Sequence, residues 1–198
     1  MPSYHEVRLY LSGLWLLIKG DAQGFRLLDV SDRGMLRSFW AILWCLPAAV
    51  ASWLWLHELV RASLPQDSRL GGLFFMRTAM LEVFNWMVPL ILAGVLCLIA
   101  GTQRKFPAVV VTMNWLSVPF SWAYGVMCVI MLLAPALLPL IGLFQLALIM
   151  ALVISFSRII RMIHGPKPLT IVAFVLVLMV PNMILTEALQ RFLGIYPF

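Results

Sequence analysis

The chain has 198 residues, 63% of them hydrophobic and 11% charged, whereas a soluble globular domain carries about 45–50% apolar and about 25% charged residues; that class is excluded. Each membrane crossing needs roughly 20 residues to traverse about 30 Å of hydrocarbon, so the length allows one compact bundle and leaves no room for a second soluble domain. The formal charge of +6 comes from basic residues scattered at the ends of apolar runs rather than clustered on a water-facing surface, which argues against a nucleic-acid partner.

Residues 1–37 read as a cytoplasmic amphipathic region. Ser3 and Glu6 form a capping box, in which each side chain satisfies a free amide of the first helical turn. A helix from about Tyr4 to Lys19 is expected to follow. Val7, Tyr10, Leu11, Leu14 and Ile18 recur at three- and four-residue steps and make an apolar stripe, with Gly20 as its stop. Tyr10 and Trp15 suit the headgroup level, so the helix is read as lying in the membrane interface, with packing against the bundle as the alternative. His5, Glu6 and Arg8 precede the apolar residues without a small-residue cleavage site, which speaks against a removed signal peptide.

Residues 38–198 read as a five-span transmembrane domain. The first span is expected from about Ser38 to Val60, the second from about Ala79 to Ala100 and the fifth from about Pro168 to Leu189, each bounded by charged or helix-breaking residues. Between Phe106 and Ser157 no side chain is charged. Those residues would extend about 78 Å as one helix, enough for two crossings. Two prolines place the break at Ala134–Pro139, giving a third span of about Ala108 to Leu133 and a fourth of about Leu140 to Ile160. Every span contains or abuts a proline, at Pro47, Pro89, Pro119, Pro139 and Pro181, so the bundle is expected to be kinked.

Orientation follows from the cations. With the N-terminus inside, the inner segments hold Arg8, Lys19, Arg26, Arg33, Arg37, Arg104, Lys105, Arg158, Arg161 and Lys167, while the outer ones hold Arg61, Arg69, Arg77 and Arg191. This asymmetry predicts a cytoplasmic N-terminus and a periplasmic C-terminus.

Polar residues within spans call for a reason, because a charge at mid-bilayer costs at least about 2.5–3.5 kcal/mol. Glu82, Asn85, Gln145, Asn182 and Glu187 fall in the outer halves of their spans. If they converge, Glu82 with Asn85 and Asn182 makes a small hydrated site for a proton or cation, with Glu58 and Glu187 at its mouth. The competing reading pairs Glu58, Glu82 and Glu187 with Arg61, Arg77 and Arg191 at the interface. In the third span Thr112, Asn114, Ser117 and Ser121 give a polar aspect, open to a cavity-lining or a helix-joining role. Arg158, Arg161, His164 and Lys167, spaced by threes where the fourth span ends, form a candidate lipid-headgroup or partner site, or a topology signal and cap.

Catalytic signatures such as HExxH, GxSxG or a phosphate-binding glycine loop do not occur, and His57-Glu58 are poorly disposed for a proton relay; no enzyme, cofactor or metal site is expected. Cys45, Cys97 and Cys128 are far apart and read as apolar fillers.

The segment Gly24-Phe25-Arg26-Leu27-Leu28-Asp29-Val30-Ser31, followed by Ser38-Phe39-Trp40-Ala41 and Pro47, resembles bacterial members of the Yip-type family, five-span proteins related to the eukaryotic Ypt/Rab-interacting proteins. The resemblance implies a non-enzymatic role in membrane organisation or partner binding. Eleven arginines against three lysines is a composition common in GC-rich bacterial genomes, so a bacterial inner membrane is the expected location.

The sequence thus leads to an all-α integral membrane bundle of five kinked helices with an N-terminal interfacial helix. Its expected role is membrane-organising or partner-binding, with lipids and a protein partner or second copy as companions. The alternative is a small transporter or channel for a proton, ion or small solute, and a polar cavity reaching the midplane would distinguish it.

Overall fold

The structure, a computed structural model, describes residues 2–63 and 71–195. Arg69, counted above among the outer cations, lies outside them. Every regular element among the described residues is helical. The helices are α1 (Tyr4–Lys19), α2 (Asp32–Ser38), α3 (Ala41–Ser63), α4 (Gly72–Ile99), α5 (Phe106–Leu133), α6 (Leu138–His164) and α7 (Pro168–Leu193), joined by three short 3-10 turns.

The capping box at the start of α1 is formed. The Glu6 amide donates to Ser3 Oγ at 3.3 Å, and the Ser3 amide donates to Glu6 Oε2 at 2.7 Å. Gly20, with φ +92°, turns the chain out of the helix, a conformation that costs glycine little. The following 3-10 turn (Ala22–Leu27) folds back along α1. Glycine is required at this crossing, because a Cβ on Gly13 would lie 2.8 Å from the Gly24 carbonyl oxygen.

Val7, Leu14 and Leu17 of α1 are buried in the same core as Val111, Trp115 and Leu116 of α5 and Ile159 of α6. Tyr10 packs its ring 5.0 Å from that of Trp115. Packing against the bundle is therefore present, while Tyr4, Leu9 and Trp15 stay exposed. Two polar contacts fasten the segment at its ends. Arg37 Nη2 of α2 donates to Glu6 Oε1 at 2.9 Å, and Arg158 Nη1 of α6 donates to the Ile18 carbonyl at 2.6 Å.

Five helical stretches, 32–63, 72–99, 103–133, 135–164 and 168–193, are long and apolar enough to cross a membrane. The turn Pro135–Leu137 separates α5 from α6, inside the stretch where the prolines place the break. Five helices run past their expected boundaries. Most consequentially, α4 begins at Gly72 rather than Ala79. Arg77 had set the expected limit, but its guanidinium donates to the Leu193 carbonyl at 2.7 Å, so the helix continues through a charged residue whose needs are met by the end of α7. The first stretch is interrupted at Phe39–Trp40 between α2 and α3. Pro47, Pro89, Pro119 and Pro181 lie inside helices, whereas Pro139 falls in the first turn of α6, where its missing N–H is not needed.

Helix α5 is the centre of the bundle, with all residues from Val109 to Leu116 buried. It packs closely on α3, and α4 packs on α7. Gly125 makes the first approach possible, since a Cβ there would lie 2.8 Å from that of Ala48. Cys45, Cys97 and Cys128 are buried thiols. Around this core the apolar surface is bare: α6 alone exposes Leu140, Leu143, Phe144, Leu146, Ile149, Met150 and Ile154. Five apolar helices with uncovered outer faces are consistent with an integral membrane protein, since such an area would not be left to water.

Candidate functional site

Side chains three and four apart share a helix face. Glu82, Asn85, Trp86 and Pro89 accordingly line up on one side of α4, and Asn114, Ser117 and Ser121 on one side of α5. These two faces, with Leu152 and Phe156 of α6 and Leu178 and Asn182 of α7, enclose a cavity of about 460 Å³. Glu82 lies ten residues into α4, about 15 Å along it at 1.5 Å per residue. Asn182 is near the middle of the 26-residue α7, and Ser117 near the middle of the 28-residue α5. The cavity therefore sits half-way along the bundle. The sequence placed Glu82 only one turn inside its span because it started that span seven residues too late.

Asn85 Nδ2 donates to Thr186 Oγ1 of α7 at 2.9 Å, and Thr186 Oγ1 donates to the Asn182 carbonyl at 2.7 Å. The side-chain oxygens of Asn85 and Asn182 are buried and accept no hydrogen bond among the described residues. Two unsatisfied acceptors in the wall of one cavity are unusual, because a buried polar atom without a partner costs about 1–3 kcal/mol. The Trp53 indole of α3 lies near the Glu82 carboxyl, and its buried N–H has no hydrogen-bond partner among the described residues.

From Trp86 and Asn114 in the cavity wall a polar chain runs to α2. Trp86 Nε1 donates to Asn114 Oδ1 at 2.9 Å, Asn114 Nδ2 donates to Ser38 Oγ at 2.8 Å, and Ser38 Oγ donates to the Met35 carbonyl at 2.6 Å. Asn114 thus faces the cavity and joins α4, α5 and α2 at once. Asn114, Ser117 and Ser121 thus line the cavity and Asn114 also joins helices, two roles that the sequence left as alternatives, whereas Thr112 donates to the Ala108 and Val109 carbonyls of its own helix.

Glu82, Asn85 and Asn182 come together; Gln145 and Glu187 do not line the cavity. Glu187 accepts from Arg191 Nη2 at 2.8 Å, and Glu58 lies 3.6 Å from Arg61 and 3.3 Å from His57 Nδ1. Two of the three expected carboxylate–arginine pairs are thereby formed. Glu82 makes none: Arg77 is turned to Leu193, and no cation pairs with Glu82 among the described residues. Ser117 and Ser121 belong to the site too, and their three- and four-residue steps from Asn114 were the signal in the sequence. Among the described residues no three His, Cys, Asp or Glu are grouped to hold a metal ion.

The basic cluster at the end of α6 is divided by the fold. Arg161 and Lys167 are exposed, and Arg158 holds the end of α1. His164 is buried, with its ring 4.5 Å from that of Phe174 and Nε2 3.5 Å from Thr102 Oγ1. A second hollow of about 480 Å³, between α5 and the start of α6, is lined by Trp122, Val126, Ile130, Leu140 and other apolar residues. The Trp122 indole N–H is already donated to the Trp44 carbonyl, so that hollow has no polar group to orient a ligand. No family model, curated protein or solved structure matches this chain.

Proposed function

We propose that this protein is a non-enzymatic integral membrane protein of a bacterial inner membrane that binds a small polar or charged solute between its spans, as a transporter or channel. The observation that carries the reading is the cavity of about 460 Å³ half-way along the bundle, with the Glu82 carboxyl in its wall and two buried, unpartnered amide oxygens beside it. Ionisable residues within membrane spans face pathways or partners because lipid solvates neither charge nor dipole. Pro89, in the cavity wall, and Pro181, beside Asn182, lie inside helices and lack the backbone N–H, which makes them the hinge points for alternating access in this reading. The N-terminus is cytoplasmic in this reading, by the distribution of Lys and Arg.

The test is a flux measurement in proteoliposomes across a panel of small cations and polar solutes. A saturable flux is expected for the natural protein, and its loss in Glu82→Gln at unchanged thermal unfolding. No flux of any solute, or full activity in the variant, overturns the reading.

Membrane organisation or partner binding is the second reading. It draws on the Yip-type resemblance and on the outward face of α1, where Tyr4 and Trp15 are exposed and the Lys19 ammonium sits 5.0 Å over the Trp15 ring. Leu11→Pro should release a partner held by this face without extracting the spans; continued co-purification from native membranes argues against it.

A further inference from the structure

We infer that the cavity takes an amphipathic organic ammonium ion, held with its charged end at Glu82, Asn85 and Asn182 and its apolar body against α6. The inference rests on the solute-binding reading above and names the chemistry of the solute.

Electrostatics fixes the sign. Among the described residues Glu82 contributes a carboxyl to the wall, no Lys or Arg lines the cavity, and the lining groups left without partners, Asn85 Oδ1 and Asn182 Oδ1, are acceptors; the unpartnered Trp53 indole N–H lies outside the lining. An anion would meet lone pairs in a low-dielectric setting. A cation that also carries N–H donors satisfies the carboxylate and both amides together, which a quaternary ammonium cannot do.

Size and lining separate an organic cation from a bare metal ion. A dehydrated ion needs a close shell of about six oxygens, and the α6 wall, with Ile149, Leu152 and Phe156, offers none. The volume of about 460 Å³ falls in the range of about 300–1,000 Å³ in which small organic molecules are bound. Trp86, Phe120 and Phe156 supply aromatic surface for the body of such a ligand or for the face of its ammonium group.

Access points the same way. Ile149 and Met183 line the cavity and are also 50% and 72% exposed on the bare apolar surface of the bundle. A solute that partitions into the bilayer by its apolar part can therefore enter sideways and leave its charge at the polar wall.

The experiment is calorimetric titration of the full chain in detergent with 2-phenylethylamine, an ammonium ion at pH 7, and with 2-phenylethanol, its neutral counterpart of the same shape. Saturable binding of the amine is expected, about tenfold tighter than the alcohol, with the preference abolished in Glu82→Gln and amine affinity reduced in Asn182→Leu. Equal affinities in the natural protein, or a preference retained in Glu82→Gln, overturn the inference. The natural-protein ratio needs no variant and decides even where Glu82→Gln fails to fold. Should both compounds bind equally and both be displaced by filling the rim with Ile149→Trp, the cavity reading stands and the ammonium assignment falls; if neither compound binds, both fall.

Discussion

Asn114 Nδ2 lies 2.8 Å from Ser38 Oγ, and this contact ties the buried middle of the bundle to the last residue of α2. Both residues are almost fully inaccessible. The same amide accepts from Trp86 on the opposite side, so one side chain satisfies two elements that otherwise touch little.

Asn114→Leu keeps the volume and removes both bonds. It leaves the Trp86 indole N–H and Ser38 without their partner, at a cost of about 1–3 kcal/mol, toward the low end because hydrogen bonds between membrane helices average about 0.6 kcal/mol. Thermal unfolding in detergent reads the loss. A variant as stable as the natural protein would show that the chain of bonds is dispensable.

Gly125→Leu drives a side chain into the Ala48 backbone, which lies 2.9 Å from where the first added carbon would stand. Separation of α3 from α5 should cost at least about 1–3 kcal/mol, the usual range for overpacking. Gly142→Ala is the control, since a Cβ there meets nothing within 4 Å and the helix gains about 1 kcal/mol in propensity. The two substitutions should move the unfolding midpoint in opposite directions.

The Glu6 carboxyl is held below its ordinary value of 4.5, first by the Ser3 backbone amide and then by the Arg37 guanidinium. A carboxyl with a depressed folded-state value contributes stability above its unfolded value and loses that contribution as pH falls through the folded one. Protection of the α1 amides, normalised to their intrinsic exchange rate at each pH, should therefore fall below about pH 4.5 and stay flat above it. Glu6→Gln should erase that acid limb; an identical limb in the variant would assign the transition to another group.

Arg158→Gln removes the donor to the Ile18 carbonyl and should loosen the last turn of α1 by about 0.5–1.5 kcal/mol, as for an ordinary hydrogen bond. Exchange at amides 18–21 is the measurement. Arg161→Gln, one turn further and exposed, should leave those amides unchanged; equal effects would mean that net charge, not the contact, holds the helix.

The spans could be read because oil-like composition and proline position are local properties. The break at Pro135–Leu137 and the capping box of Ser3 and Glu6 fall where residue chemistry alone places them. Depth was harder. Arg77 looked like a boundary, and only the fold shows the Leu193 carbonyl, distant in sequence, receiving its guanidinium; that displaced Glu82 by seven residues in the reading. The convergence of Glu82, Asn85 and Asn182 on Asn114, Ser117 and Ser121 depends on which helices neighbour one another, which periodicity does not encode. His164 looked like one of four basic residues on a surface, whereas the packing of α6 on α7 buries it under Phe174.

The seat of α1 has a consequence for how the chain is made. Its anchor on α6 lies 140 residues downstream of Ile18, and ribosomes add about 5–20 residues each second, so the segment emerges about 7–28 s before its binding surface exists. Through that interval Val7, Leu14 and Leu17 need other cover, which a bilayer leaflet or a chaperone supplies. The segment can take its seat only after α6 has been made, so its docking reports that synthesis has passed Arg158.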